Sequence, residues 1–288
     1  MLSIKHVTKK YGNYLALDNI NLDFEHGVYG LLAPNGAGKT TLIKMLTTLL
    51  MPTDGEILWE GTEIFALGEK YRDILGYLPQ QFGYYRDNTP KQFLSYLAAL
   101  KGMNKKQTKE QISKLIELVG LDDVVNKKMK KFSGGMLQRV GIVGAMLNNP
   151  KILILDEPTA GLDPRERVRF RNLIHSISKD RIVILSTHIV SDIETISNKI
   201  VMIREHKLYC CKSPQEICDS LKGRIFEIPS GMAIDRPYHL LSERQSEKGT
   251  VLRISCNTAP SGTTLVSPNL EDVFLYVYGE EVTKDVHS

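Results

Sequence analysis

An α/β fold with a mostly parallel central sheet follows from three observations in this sequence. Three apolar runs, residues 28–32, 152–155 and 182–185, have the length and continuity of strands buried on both faces. Each closes on polar chemistry: a glycine-rich turn after the first, Asp156-Glu157 after the second and Ser186-Thr187-His188 after the third. Around them lie segments of helical period, the clearest with Ile112, Leu115, Ile116 and Val119 at i, i+3, i+4 and i+7 before a terminating Gly120. In an open α/β sheet, ligands bind beyond the carboxyl ends of the strands. The three endings therefore predict one site that draws Lys39, Asp156, Glu157 and His188 together.

Composition sets the frame. At 288 residues the chain is long for one domain and short for two large ones, which suggests a main domain with a smaller appendage. Its 42% hydrophobic and 24% charged residues are those of a globular protein. No apolar run approaches the roughly 18 residues of a membrane span, and Met1-Leu-Ser-Ile-Lys-His6 lacks the apolar core of a signal peptide, so a cytoplasmic chain is expected. Cys210, Cys211, Cys218 and Cys256 form no C-x-x-C pair and have no histidine at a metal-ligand spacing, which argues against zinc. A net charge of +4 is modest for this length and gives no reason to expect nucleic acid as a partner. The run Lys127-Lys-Met-Lys-Lys131 reads as a solvated loop.

Taken in order, residues 2–8 and 19–24 read as strands of an antiparallel β front end, with Ile20, Leu22 and Phe24 alternating against polar neighbours. Lys10-Tyr-Gly-Asn-Tyr-Leu-Ala-Leu17 between them reads as an aromatic loop whose Tyr11 could stack on a base. Next comes Ala33-Pro-Asn-Gly-Ala-Gly-Lys-Thr-Thr41, a turn between a buried strand and a helix start. Gly36 and Gly38 allow positive φ, so successive N–H groups can point inward at anionic oxygens, and the helix end adds unpaired donors and its positive dipole end. Lys39 can reach β- and γ-phosphates, and the Thr40 hydroxyl can ligate Mg²⁺. The spacing fits G-x-x-x-x-G-K-[ST] except at its first position, Ala33, which suits a negative φ or a site where only small size matters.

Residues 51–55 read as a turn, and 56–60 and 74–78 as strands, the latter ending at Pro79-Gln80-Gln81, where a glutamine could reach toward phosphates. From about 82 to 148 the pattern is helical, an insertion into the strand-rich body. Within it, Ser133-Gly134-Gly135 opens a helix to about residue 147 with a hydroxyl cap and two glycines. Asp156 at the end of its strand can hold a metal through water, and Glu157 can polarise the water that attacks a γ-phosphate. Beyond residue 213, a helix over 214–221, strands at 224–228 and 251–255 and a helix over 268–279 suggest a small α+β appendage.

With these residues in view, the chain resembles the ATP-binding cassette (ABC) ATPases over residues 1–222, leaving 223–288 as an accessory region. The motifs occur in the family's order. Tyr11 is similar to the aromatic A-loop, Ala33–Thr41 to Walker A, Gln80 to the Q-loop with Gln81 a second register, and Ser133-Gly134-Gly135 to the signature motif, where Phe132 and Met136 replace the commonest residues. Asp156 and Glu157 resemble Walker B and the catalytic glutamate, Ala160-Gly-Leu-Asp163 the D-loop and His188 the switch histidine. The resemblance implies a P-loop NTPase cassette that binds ATP and Mg²⁺. Nucleotide contacts would come from Tyr11, Asn35, Gly36, Ala37, Gly38, Lys39, Thr40 and Thr41, metal contacts from Thr40, Gln80 and Asp156, and catalysis from Glu157, His188 and Gln80. It also implies a head-to-tail dimer, homo- or heteromeric, in which Ser133, Gly134 and Gly135 of one chain close over ATP on the other. Separate permease subunits would then hold the pair at the inner face of the membrane. Leu270-Glu-Asp-Val-Phe274 is similar to the ending of cassette subunits of exporters for drugs, antibiotic peptides, lipids or sodium. A soluble cassette ATPase acting on nucleic acid or ribosomes is the alternative.

Overall fold

The computed structural model describes residues 1–279 apart from 233, 235, 236, 247, 248 and 261. They fall into two compact units, Met1–Cys211 and the chain from Lys212 onward. Contact compactness thus divides the chain ahead of the helix at 214, whereas the sequence suggests a boundary after residue 222.

The first unit starts with β1 (Leu2–Tyr11) and β2 (Tyr14–Phe24), then β3 (Gly27–Leu32), α1 (Lys39–Leu46), β4 (Asp54–Trp59), β5 (Thr62–Glu63), the short helices α2 (Ile64–Leu67) and α3 (Glu69–Asp73), and β6 (Leu75–Leu78). The helical insertion follows as α4 (Pro90–Leu100), α5 (Lys105–Leu118) and α6 (Gly134–Met146). Then come β7 (Ile152–Asp156), α7 (Pro164–Ile177), β8 (Ile182–Ser186), α8 (Val190–Glu194), β9 (Lys199–Arg204) and β10 (Lys207–Lys212). An antiparallel front sheet runs β2-β1-β4-β5, and the central sheet runs β10-β9-β3-β8-β7-β6 with β9, β3, β8, β7 and β6 parallel. Every residue of β7 and β8 is buried, as strands covered on both faces require.

Residues 10–17 form a hairpin and not the loop read from their composition. β1 continues to Tyr11, β2 begins at Tyr14, and the two tyrosines pair across Gly12 and Asn13. Gly12, at φ 57°, supplies the turn, and the flanking aromatic and apolar residues favour extended chain. The insertion's helices are locally well specified: Thr89 with Gln92 and Asn104 with Gln107 close reciprocal capping boxes on α4 and α5.

The second unit holds α9 (Pro214–Asp219), β11 (Ile225–Pro229), β12 (His239–Ser246), β13 (Gly249–Ser255), β14 (Thr264–Leu265) and α10 (Leu270–Tyr278). Its antiparallel sheet runs β12-β13-β11-β14 over a core of Phe226, Ile228, Ile234, Ile254 and Cys256. The conspicuous Leu270-Glu-Asp-Val-Phe274 segment has a structural role within this unit. Asp272 accepts from Arg253 Nε and Nη2, both at 2.6 Å, and from the Asn269 amide at 2.8 Å while Asn269 caps α10.

Candidate functional site

The chain leaves β3, turns through residues 33–38 and enters α1 at the carboxyl edge of the central sheet. Ala33 is fully buried and keeps a negative φ, which is why a residue other than glycine fits there. Gly36 and Gly38 take φ of 84° and 106°. A Cβ at Gly38 would stand 2.5 Å from the Leu17 side chain and 2.7 Å from the Ala16 carbonyl, so only glycine lets the turn pass beneath β2. No side chain caps α1, and its first N–H groups are left as donors for an anion.

Lys39 folds back on this turn and donates from Nζ to the carbonyls of Ala33 and, at 3.1 Å, of Pro34. Burial pushes its ammonium below the usual lysine value, and the nearby Glu157 and Asp156 carboxylates draw it partly back. A buried cation facing two carboxylates is complementary to a polyphosphate that brings its own negative charge.

Asp156 ends β7 beside Ser186, which ends β8 in parallel register with it. The Ser186 hydroxyl donates to Asp156 Oδ1 and accepts the Glu157 N–H at 3.0 Å, so one side chain holds the Asp156 carboxylate and the Glu157 backbone. The Ser186 carbonyl takes the same N–H at 3.1 Å. Glu157 has φ 50°, a left-handed backbone that a non-glycine residue keeps only where its surroundings enforce it. Its Oε2 lies 2.9 Å from His188 Nδ1, with the glutamate side chain 11% exposed and the histidine 61%.

A cavity of about 240 Å³ opens between these parts. Of the residues singled out from the sequence, Asn35, Gly36, Gly38, Lys39, Thr40 and Thr41 line it from the turn and α1, and Gln80, Asp156 and Glu157 from the sheet edge. His188 reaches it through Glu157. Ala37 stays in the turn, donating to the Pro34 carbonyl at 3.3 Å, and Gln81 is not among the lining residues. Ser133, Gly134 and Gly135 do not line the cavity either. Ser133 caps α6 by accepting the Met136 N–H at 3.2 Å, and Gly135 lines a different cavity beside Arg139 and Glu166.

Tyr11 also stands outside the cavity wall, with the Lys9 ammonium 5.4 Å from its ring centre. Tyr14, its cross-strand partner, is the aromatic lining residue: its hydroxyl donates to the Gly36 carbonyl at 3.4 Å and its ring meets His206 edge-on at 5.8 Å. Sequence reading quoted Tyr14, Ala16, Pro34 and Ser186 within longer stretches without singling them out as site residues. The period-2 alternation of β2 could have pointed to Tyr14 and Ala16 as one face, and the serine at the end of a buried strand could have pointed to Ser186.

The parts suit ATP and a divalent ion. An uncapped helix start, a lysine and a 240 Å³ hollow fit a triphosphate. Mg²⁺ prefers one or two protein oxygens together with phosphate and water, which the Thr40 hydroxyl and the Asp156 carboxylate can supply. Among the described residues there is no cluster of three His, Cys, Asp or Glu to form an all-protein cage.

Fold and site together define a nucleotide-binding protein of the P-loop, parallel-sheet class. Comparison with known proteins narrows the class. The ABC transporter family model matches residues 17–160. The chain is 35% identical over 246 residues to the ABC transporter ATP-binding protein YxlF of Bacillus subtilis, spanning 83% of this chain and 81% of that one. It is 40% identical over 205 residues to the bacitracin transport ATP-binding protein BcrA of Bacillus licheniformis, spanning 70% and 66%. A dimeric bacterial ABC transporter cassette superposes with a TM-score of 0.66 at 25% identity, covering 74% of this chain and 98% of that one, and the same cassette is known in a post-hydrolysis state with ADP and Pi. The chain belongs to the ABC transporter ATP-binding family and is an ATPase.

Proposed function

We propose that this chain is the ATP-hydrolysing subunit of a multicomponent membrane exporter, driven by ATP-dependent closing and opening of a cassette dimer. One observation carries the hydrolytic part: Glu157, locked by Ser186 and paired with His188, faces the same cavity as Lys39. The open end of α1 and Lys39 would bind the β- and γ-phosphates, and Thr40, Asp156 and Gln80 would hold Mg²⁺. That ion would supply charge neutralisation on the phosphate oxygens. Glu157 orients and deprotonates the attacking water, and His188 holds the glutamate in position. Ser133, Gly134 and Gly135 act on the nucleotide of a second chain, which accounts for a glycine-rich helix end lying outside this chain's own cavity.

The exporter reading is supported by the likeness to BcrA, whose name records bacitracin transport, and by a second hollow suited to a docked helix. That hollow, about 310 Å³, is lined by Tyr77, Phe82, Phe93, Leu97, Gly141 and Gly144 between the Gln80 loop and the insertion. No helix among the described residues is long and apolar enough to cross a membrane. Affinity purification from membranes tests this. A polytopic protein recovered with the chain supports the reading, and ribosomes recovered in its place overturn it.

A further inference from the structure

The insertion carries a charge that the rest of the molecule does not. Residues 82–148 hold twelve Lys and Arg against five Asp and Glu, whereas the whole chain holds 37 against 33, so the remainder is net acidic. Part of this surplus surrounds a groove of about 510 Å³ between α4 and α5, within the range of small-molecule pockets. The groove exists because Ser95 and Ala99 present little bulk to α5. Its floor is Ala99, Met103, Ile112, Ile116 and Val125, with Ile112 and Ile116 buried, and Lys91, Lys105 and Lys109 stand on its walls. Lys128 and Lys130 share Asp87, but no ion pair engages the three groove lysines among the described residues. Asp122 is the one acidic residue of the lining.

We propose that this groove binds an anionic lipid of the membrane surface, its acyl chain along the Ala99–Ile116 floor and its headgroup on Lys91, Lys105 and Lys109. An apolar trough with unpaired ammonium groups at its edge is complementary to an anionic amphiphile. The spread of the charge favours a lipid surface over an acidic peptide. Lys106, Lys114, Lys127 and Lys131 are exposed and extend the positive field beyond the groove, as a broad anionic plane would use and a single bound segment would not. The inference rests on the exporter reading, which brings the insertion to a bilayer.

Flotation of the full chain with vesicles tests it, using phosphatidylcholine alone and phosphatidylcholine with 30% phosphatidylglycerol. Binding to the anionic vesicles should exceed binding to the neutral ones by at least about tenfold at low salt. Lys91→Glu/Lys105→Glu/Lys109→Glu should lose this preference, and Ala99→Trp, which fills the trough with all lysines intact, should weaken binding at least about threefold. Lys127→Glu/Lys131→Glu should change it less than either. Equal binding to both vesicles, unchanged binding by Ala99→Trp, or capture of an acidic amphipathic peptide without vesicle binding overturns the groove. ATP hydrolysis measured on the same preparations separates the two claims: intact hydrolysis with no vesicle preference removes the lipid site alone, while absent hydrolysis in the parent chain removes the functional reading.

Discussion

Two helices of the first unit have glycine at or next to their N-terminal caps and put it to different uses. α1 starts at Gly38 with φ 106° and no capping side chain, and it opens into a cavity that also contains Lys39 and two acids. α6 starts at Ser133, whose hydroxyl accepts the Met136 N–H, and its glycines have ordinary backbone angles. A Cβ at Gly134 would meet nothing nearer than 4.0 Å, whereas one at Gly38 would collide. The first end is shaped by its own chain to hold an anion. The second is complete as a helix cap but presents Ser133 and Gly134 at the surface. The proposed contact of Ser133 and Gly134 with a neighbouring chain's nucleotide would account for small residues at that exposed end.

The largest effect that could break this contrast comes from the acid at the α1 cavity. Glu157→Gln keeps the size and the backbone of the residue and removes the base, so steady-state ATP turnover should fall by about 10²–10⁴-fold with nucleotide binding retained. Turnover near the parent value would remove Glu157 from the chemistry. At the other helix end, Ser133→Arg should cut turnover by about a hundredfold through the loss of contacts to a partner's nucleotide. Should purified Ser133→Arg chain hydrolyse at the parent rate, the assignment of α6 in trans fails.

Substituting the two glycines sharpens the same contrast through stability. Gly38→Ala forces a side chain into the left-handed region and against Leu17, and thermal unfolding should show a loss of about 1–3 kcal/mol. Gly134→Ala should stay within about 0.5 kcal/mol of the parent, because alanine suits a first helical turn in open space. Similar melting of the two variants would show that α1 and α6 do not differ as described. The smallest effect concerns the base. Tyr14→Ala should weaken ATP binding by up to about tenfold, the worth of one aromatic contact, and more than Tyr11→Ala does. A larger loss at Tyr11 would support the base-stacking role that the family resemblance gives it.

Much of the cassette was legible because its signals are local. Four apolar residues before Asp156 suit a strand covered on both faces, and Ser133 ahead of its glycines marks the start of α6. Tyr14 was harder, since Gly12 and Asn13 have loop composition while the residues on either side are strand formers, and the strands won. Residues 199–212 gave no reading: the turn between β9 and β10 is made by Glu205 and His206, both with positive φ, where no glycine announces it. Ser186 was quoted for the histidine two places on, and its real partners lie thirty residues earlier in sequence, on the neighbouring strand. Such partners follow from sheet register, which no local pattern encodes. The same holds for Arg253, whose bidentate hold on Asp272 explains an exporter-like tail as packing within the second unit.

Equilibrium binding of a fluorescent ATP analogue to single chains decides between the two helix ends most directly. With Lys39→Ala the dissociation constant should rise at least tenfold, as loss of a buried charge-assisted contact requires, and with Ser133→Arg it should match the parent. The opposite pattern, nucleotide lost with Ser133→Arg and kept with Lys39→Ala, would place the triphosphate on α6 and contradict the site described for α1.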